Sequence, residues 1–301
     1  MKKFRRMCWQ DKCYVIAVGI FLGIFTLLVL YPLIYVISCS FSAPRALVAG
    51  KVKLLPVEFS LMGYEAVFKT PEVFTGYRNS ILYTIIGTIL SVLVTMMGAF
   101  PLTRKEFVDK GFFTGLFAIT MFIGGGLIPQ YLLIKNLHLM NTMWALIIPT
   151  LFSAWSIIIA RTFISSSIPE ELYEAAAVDG CGYVRYFIRI VLPLSKAIMA
   201  VLALSYATGM WNSYFSAMLY INDSTKYPLQ IVLRDILVQN TINIDDIAKS
   251  MSNLTEMMDR QNLSESLKYS LIVVSSIPLM LFYPFIQKYF IKGVMIGSIK
   301  G

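Results

Sequence analysis

The first hydrophobic stretch of the chain, residues 13–44, reads CYVIAVGIFLGIFTLLVLYPLIYVISCSFSAP and contains no charged side chain. It is longer than the roughly 20 apolar residues that a helix needs to cross a bilayer. An Asp, Lys or Arg at the centre of such a helix would cost about 2.5–3.5 kcal/mol. The stretch therefore predicts a membrane-spanning helix rather than the core of a soluble domain.

Five more stretches lack charged residues, and each is about as long as a membrane-spanning helix requires: residues 79–103, 111–134, 136–160, 197–222 and 269–287. Of the 301 residues, 57% are hydrophobic and only 14% are charged, whereas soluble domains carry about 25% charged residues. Intrinsic disorder is excluded, because it requires low hydrophobicity and high charge. The sequence predicts an all-α integral membrane protein, a single domain over residues 1–301, with six transmembrane helices at about 14–38, 80–102, 111–134, 142–160, 197–220 and 269–287.

The Lys and Arg residues between these segments are distributed unevenly, and this predicts the orientation of the chain. The formal charge of +9 divides into +8 on one set of flanks and +1 on the other. The +8 side is expected to face the cytoplasm of a cell-membrane protein, and it holds both termini. The long connections 39–79 and 221–268 then lie outside, and the second is acidic. Because the basic excess follows from orientation toward an anionic leaflet, no nucleic-acid partner is needed to explain it.

The first hydrophobic stretch also allows a second interpretation, a cleaved signal peptide. Lys2–Arg6 forms a basic start, and Val36–Cys39 resembles a lipoprotein cleavage site. The apolar region of a signal peptide has only about 7–15 residues, however, and this one is far longer. A retained first helix is the preferred interpretation.

The sequence has few cysteine and histidine side chains that could take part in catalysis, disulfide bonds or metal binding. Cys8, Cys13 and Cys181 are predicted on the reducing side and Cys39 alone outside, so no disulfide framework is expected. A single histidine, His138, argues against most histidine-based catalysis and against a histidine-rich metal site. No catalytic residue and no metal ligand is predicted.

The sizeable cytoplasmic connection after the fourth predicted span begins with signals for a short helix. Ser167 or Ile168 is placed to cap it, and Pro169 occupies the first turn, where a backbone N–H is not needed. Glutamates follow at the positive end of the helix dipole. Gly180 is expected to end the helix in the left-handed conformation that glycine adopts without steric cost.

A second short helix is predicted from Tyr183 to Val191, ending before Leu192 and Pro193. Two helices joined by a glycine turn form a compact projection on the membrane surface. The residue pattern alone leaves two interpretations open: a hairpin packed on its own transmembrane helices, or a docking element whose alanine face lets another backbone approach closely.

The motif Glu174-Ala175-Ala176-x-x-Asp179-Gly180 resembles the EAA loop of binding-protein-dependent ABC importer permeases. Several flanking residues belong to the same signature: Ile168, Pro169, Glu171, Leu172, Phe187, Ile190, Leu192, Pro193 and Leu194. Other stretches are similar to carbohydrate permeases of the maltose-transporter second-permease type: Gly125–Pro129, Asn141-Thr142, Trp211–Phe215, Pro228–Gln230 and Gln287–Gly293. Within that group the chain looks most like the branch serving complex oligosaccharides in Gram-positive bacteria. It departs from the pattern at Cys181, where alanine is commoner, and at Ala197, where proline often stands.

This resemblance implies a type I ABC importer permease fold and a set of partners. The EAA loop would dock on a cytoplasmic ATPase dimer, which binds ATP and Mg²⁺, while this chain itself binds no cofactor. The residues implied in this coupling are Glu171, Glu174, Ala175, Ala176, Asp179, Gly180, Leu192 and Pro193. A second ATPase contact is implied for the tail, at Lys292, Gly293, Lys300 and Gly301. A second homologous permease would complete a heterodimer, and an extracellular sugar-binding lipoprotein would deliver the substrate.

A translocation path is a further hypothesis for Trp211, Asn212, Tyr214 and Phe215. Polar and aromatic residues in a span serve packing as well as pathway lining, so both roles stay open. Gly124–Gly126 is interpreted as a close helix crossing or a hinge, because the Lys-Ser/Thr of a P-loop is absent.

The sequence therefore predicts a permease subunit of an ATP-driven importer that moves a sugar, expected to be an oligosaccharide, into the cytoplasm. The alternative is a secondary transporter or channel that works without ATP. Ion-coupled carriers generally place an ionisable residue within the membrane, and the six predicted transmembrane helices contain no Asp, Glu, His, Lys or Arg.

Overall fold

The structure is a computed structural model. It describes the backbone of residues 8–248 and 254–297, and the side chains of that part except those of 239–262, 285–286 and 288–297. Regular structure in the described part is helical, apart from one isolated antiparallel bridge between Ser42 and Phe59. This agrees with the predicted all-α class.

The helices follow one another along the chain with short connections. The first six are α1 Trp9–Ser40, α2 Pro44–Val48, α3 Met62–Lys69, α4 Pro71–Ala99, α5 Lys110–Phe122 and α6 Leu127–Asn136. The next six are α7 Trp144–Ile147, α8 Ala154–Ser167, α9 Glu170–Val178, α10 Tyr183–Tyr186, α11 Leu192–Leu194 and α12 Lys196–Trp211. The last three are α13 Tyr214–Tyr220, α14 Leu229–Ala248 and α15 Leu254–Gly297. A π-helical segment, Phe187–Val191, joins α10 to α11.

Three helical segments in the described part are long and apolar enough to cross a membrane: Trp9–Ser40, Pro71–Thr103 and Leu263–Pro284. Three bent helix pairs pass the same test when each pair is taken together, so the number of spans reaches six if each pair crosses once. These pairs are Lys110–Phe122 with Leu127–Asn136, Trp144–Thr150 with Ala154–Ser167, and Tyr183–Leu194 with Lys196–Trp211.

Several segments predicted as single helices are interrupted in the structure. Within predicted segment 111–134 the chain turns by 114° between α5 and α6, next to Gly126, whose φ is +79°. Glycine accepts this positive φ without steric cost, so the glycine run acts as a hinge. No heavy atom of the described chain lies within 4 Å of where a Gly126 Cβ would stand, so the structure shows no close helix crossing there.

The predicted segment 197–220 is likewise two helices, α12 and α13, separated at Asn212 and Ser213. Asn212 is exposed and ends α12 by donating its side-chain Nδ2 to the carbonyl of Thr208, at 3.0 Å. Asparagine competes for backbone hydrogen bonds in this way, which explains why the apolar run does not continue as one helix.

Contacts among the described residues divide them into two compact units. One unit runs to Thr70 and resumes over Asp235–Ser276; the other comprises Pro71–Arg234 and resumes at Ile277. In the first, Cys39, Ala46 and Val52 form a small buried cluster.

The second unit has the larger core, in which α4, α8 and α12 pack together. Buried residues from each helix meet there: Val92, Met96 and Ala99 from α4, Ile157 and Ile164 from α8, and Ile198 and Leu202 from α12. The hydroxyls of Thr95 and Tyr206 are hydrogen-bonded at 2.7 Å, which joins α4 to α12 inside this core.

Candidate functional site

Helix α9 carries the EAA-type motif, and its ends follow local chemistry. The helix begins at Glu170, and its N-cap is Pro169 in extended conformation, one residue after the later of the two predicted caps, Ile168. The predicted cap is therefore wrong, and Pro169 precedes the first turn instead of lying in it. Glu170 and Glu171 stand in the first turn, as predicted. Gly180 has a φ of +72°, and the N–H of Cys181 closes the turn on the carbonyl of Ala176 at 2.9 Å. The predicted left-handed glycine stop is confirmed.

The end predicted for the second helix is wrong. Helical structure starts at Tyr183 as predicted, but it continues through Leu192–Leu194 and breaks at Ser195, where α12 leaves at 80°. Pro193 lies in the first turn of α11, a position that does not require its missing N–H. The π-helical segment Phe187–Val191 directly precedes it. Proline is therefore tolerated here as part of a helix rather than as its stop.

A buried arginine attaches α9 to the end of α4. Arg104 follows the short 3₁₀ turn after α4 and is only 5% exposed. Its Nη2 lies 3.5 Å from Oε2 of Glu170, in the first turn of α9. Its guanidinium carbon stands 4.8 Å from the ring centroid of Tyr173, 5.5 Å from that of Phe100 and 5.8 Å from that of Tyr186. A cation within about 6 Å of an aromatic centroid is attracted by the ring.

The groups around Arg104 compensate for the burial of its positive charge. Its Nε donates to the hydroxyl of Thr103 at 3.3 Å, whereas its buried Nη1 has no hydrogen-bond partner in the described part of the chain. The aromatic rings and Glu170 therefore supply most of the compensation for burial. The hydroxyl of Tyr173 bonds to Tyr183, and this hydrogen bond raises the pKa of Tyr173 to about 12.

The sequence does not identify Arg104 as a site residue. It is one of several positive charges on the predicted cytoplasmic side, and the neighbouring residues do not distinguish it from Lys105, which is exposed. Its position directly after a long apolar stretch is a general feature of such flanks.

The implied coupling residues differ in exposure: most lie on the exposed face of α9 and its turn, and two are buried or half-buried. Glu171, Glu174, Ala175, Asp179 and Gly180 are exposed, and Pro193 is exposed as well. Ala176 is 8% exposed and belongs to the core under α9, while Leu192 is half-buried. Val178 is 89% exposed and lies one turn after Glu174. This exposed face therefore carries an apolar side chain next to carboxylates.

The tail residues implied in a second contact cannot be placed. Lys300 and Gly301 lie outside the described residues, and nothing is described of Lys292 and Gly293 beyond their helical backbone.

The four residues of the predicted translocation path do not line one common cavity. Trp211 is 3% exposed and lines an apolar cavity of about 460 Å³ together with Thr84, Thr88 and Phe282. Tyr214 and Phe215 are about half exposed and pack edge to face, with their centroids 6.3 Å apart. The structure thus brings Trp211 into a cavity and leaves Asn212, Tyr214 and Phe215 on the surface of their unit.

These observations define a multi-pass helical membrane protein with an anchored, outward-facing helix α9 between two apolar helical segments. The family described as "Binding-protein-dependent transport system inner membrane component" matches residues 3–296. The chain belongs to this family of transport permeases, which confirms the resemblance of the EAA-type motif.

Relatives and a solved structure extend over almost the whole chain. The polygalacturonan/rhamnogalacturonan transport system permease protein YtcP of Bacillus subtilis (strain 168) is 38% identical over 281 residues, covering 93% of this chain and 96% of that protein. Protein LplC of the same organism is 37% identical, covering 97% and 95%. A crystal structure of a bacterial ABC transporter that imports the acidic polysaccharide alginate contains a chain with a TM-score of 0.82 and 30% identity, covering 94% of this chain and 99% of that one.

Proposed function

We propose that this chain is one membrane subunit of an ATP-driven importer that brings an oligosaccharide into the cytoplasm. Acidic oligosaccharides are the substrate class favoured by the names of its relatives, a polygalacturonan/rhamnogalacturonan permease and an alginate importer. A second permease would form a heterodimer with it, and an extracellular sugar-binding lipoprotein would deliver the sugar. The chain supplies no cofactor; a separate ATPase dimer binds ATP and Mg²⁺.

The anchored outer face of α9 is the observation that carries this proposal. Glu171 and Glu174 stand exposed on a helix that Arg104 holds to the end of α4. A carboxylate on such a face can form charge-assisted hydrogen bonds with a partner. Movement of the ATPase would then reach α4 through α9 and Arg104. The tail, including Lys292, Gly293, Lys300 and Gly301, is proposed as a second ATPase contact.

The translocation path remains a proposal centred on Trp211. Trp211, Thr84 and Thr88 line the same apolar cavity, so a sugar ring could stack on the indole there. Asn212, Tyr214 and Phe215 would contribute only if the partner permease closed over them.

Coupling is tested by reversing one exposed charge in the complete complex. Glu174→Lys should lower ATP-dependent uptake of a labelled oligogalacturonide by at least about tenfold, which corresponds to about 1.4 kcal/mol of lost contact. A compensating charge reversal in the ATPase groove should restore part of the uptake. Asp109→Lys makes the same change at an exposed position outside α9 and should leave uptake unchanged. Uptake that persists without ATP would favour a secondary carrier instead.

The proposed orientation has its own test. Cys181 keeps part of its surface accessible in the turn after α9. In a variant with Cys8, Cys13 and Cys39 replaced by serine, a membrane-impermeant maleimide should label Cys181 in inverted vesicles and not in intact cells. A variant with all four cysteines replaced by serine and Ser224→Cys added offers an exposed position on the opposite predicted side and should show the reverse pattern. Labelling of Cys181 from outside the cell would exclude contact between α9 and a cytoplasmic ATPase.

A further inference from the structure

The connection between α13 and α14 is held by hydrogen bonds to a distant part of the chain. Asn141, in the connection between α6 and α7, has a φ of +62°. Its side-chain Oδ1 accepts the backbone N–H groups of two successive residues, Asn222 at 3.2 Å and Asp223 at 3.0 Å. A single amide oxygen thus satisfies two backbone donors where the chain leaves α13.

The backbone of Asn141 adds two more contacts to the same connection. Its N–H donates to the carbonyl of Tyr220 at 2.7 Å, and its carbonyl accepts Nζ of Lys226 at 3.2 Å. The same ammonium lies 3.4 Å from a carboxylate oxygen of Asp223. Hydrogen bonds from Thr225, first from its side chain and then from its backbone, lower the pKa of Asp223, so this carboxylate stays charged.

One face of α4 holds the connection from its other side. Nδ2 of Asn79 donates to the carbonyls of Thr225 at 2.9 Å and Tyr227 at 3.0 Å. The hydroxyl of Ser80 accepts the N–H of Leu229 at 2.8 Å, immediately where α14 begins.

Two further observations show how tightly this connection fits against α4. The hydroxyl of Tyr83 donates to the carbonyl of Lys226 at 3.0 Å. The backbone approaches so closely that a Cβ on Gly76 would stand 3.0 Å from Cα of Leu229. We call residues 220–229, with these contacts to Asn141 and α4, the 220–229 clasp.

The clasp explains two motifs to which the sequence assigned no role. Asn141-Thr142 and Pro228-Leu229-Gln230 are about ninety residues apart and belong to the same hydrogen-bonded structure. A connection of this length usually runs free over the surface and is mobile. Here its backbone polar groups are paired with fixed side chains, so the start of α14 is set in a defined position.

We propose that Asn141 is a positioning residue that holds the 220–229 clasp in the geometry with which this surface receives the sugar-binding protein. The proposal rests on the proposed function, which puts the connection between α13 and α15 outside the cell. Asn141 meets two requirements at once. Asparagine tolerates a left-handed φ better than most residues, and its side-chain oxygen supplies the acceptor for two N–H groups.

Three substitutions separate these requirements. Asn141→Asp keeps the acceptor and tolerates the positive φ. Asn141→Gly keeps the φ and removes the acceptor, and Asn141→Ala removes both. Asn136→Ala is the matched control, because it deletes an exposed amide side chain at the end of α6, outside the clasp.

The readout is ATP hydrolysis by the complete complex in nanodiscs, titrated with the binding protein loaded with an oligogalacturonide. Asn141→Ala and Asn141→Gly should raise the half-saturating concentration of binding protein by about tenfold, with a smaller effect on the maximal rate. Asn141→Asp should stay within about threefold of the unsubstituted complex, and Asn136→Ala should have the same half-saturating concentration as the unsubstituted complex.

Two results would overturn the proposal: a half-saturating concentration unchanged in Asn141→Ala, or an Asn141→Asp variant as defective as Asn141→Ala. If the Asn141→Ala complex does not assemble, Tyr83→Phe provides the test instead. This variant removes one hydrogen bond to the clasp and leaves Asn141 unchanged. It should raise the half-saturating concentration by about twofold to threefold, and no change would contradict the proposal. Failure of the unsubstituted complex to respond to any binding protein would instead contradict the proposed function.

Discussion

The guanidinium of Arg104 and the carboxylate of Glu170 stand 3.5 Å apart, and this pair joins the end of α4 to the first turn of α9. The same α4 helix carries Asn79, Ser80 and Tyr83 of the 220–229 clasp near its other end. With a rise of 1.5 Å per residue, the 20 steps from Asn79 to Ala99 span roughly 30 Å. One helix therefore connects the Arg104 cluster and the 220–229 clasp.

The Arg104 anchor should be a large local contribution to stability. Replacing it by alanine removes the ion pair and the stacking on three rings, so we expect the free energy of unfolding to fall by about 1–3 kcal/mol. Arg104→Lys should recover only part of this, because an ammonium lacks the planar face that stacks on the rings. The melting temperatures of the purified variants measure the effect. The neighbouring exposed Lys105→Ala is the control, and an equal loss in both alanine variants would contradict a specific anchor.

Gly180 and Gly182 form a matched pair around the turn after α9. Neither has a heavy atom within 4 Å of an added Cβ, but Gly180 has a φ of +72° and Gly182 a φ of −68°. Gly180→Ala should therefore cost about 1–2 kcal/mol through backbone strain alone, whereas Gly182→Ala should be nearly neutral. Thermal unfolding of the two variants tests this difference. Similar melting temperatures would mean that the turn does not require its left-handed glycine.

The Thr95–Tyr206 hydrogen bond joins α4 to α12 within the core. Tyr206→Phe should lower the free energy of unfolding by about 0.5–1.5 kcal/mol, because the hydroxyl of Thr95 loses its partner. The double variant with Thr95→Val should be less destabilised than the sum of the two single variants. Tyr214→Phe removes a hydroxyl from a half-exposed side chain and serves as the control. Additive single effects in the double-mutant cycle would show that the two hydroxyls do not interact.

Gly63 in α3 is required by packing rather than by backbone conformation. A Cβ there would overlap the hydroxyl of Ser270 and stand 2.8 Å from the carbonyl oxygen of Ser266. Because a carbonyl in a helix cannot move aside like a flexible side chain, Gly63→Ala should cost about 1–3 kcal/mol. Gly23→Ala in α1 meets no atom within 4 Å and is the matched control. Yield and melting temperature in detergent report the difference, and a fully stable Gly63→Ala would show that α3 does not pack this closely.

Local features of the fold were predictable because they depend on short stretches of chain. The positive φ of Gly180 follows from the residues on either side of it, since a helix that must turn sharply needs a residue without a Cβ. The apolar helices follow from the absence of charge over stretches such as 13–44, because the bilayer penalises every unpaired ionisable group. The extension of helix past Pro193 was not predictable in the same way, since a proline serves equally as a stop and as a first-turn residue.

The contacts of Arg104 and Asn141 were not predictable from their neighbours along the chain. Arg104 owes its burial to Glu170 and to rings that lie up to about eighty residues away, and Asn141 binds backbone groups at a similar separation. The residues next to a polar side chain in the sequence do not show which distant donors or rings will surround it in the fold. The 114° bend next to Gly126 was likewise not predictable, because glycine permits a bend without fixing its angle.

The sequence by itself determined that this is a helical membrane protein with a transport-permease motif, and it located the turn after α9. Only the tertiary structure decided that an arginine anchors that motif to α4 and that an asparagine holds the 220–229 clasp. The physical reason is that charge exclusion and backbone conformation act along the chain, whereas burial of a cation and pairing of loop backbone groups require partners brought together by packing.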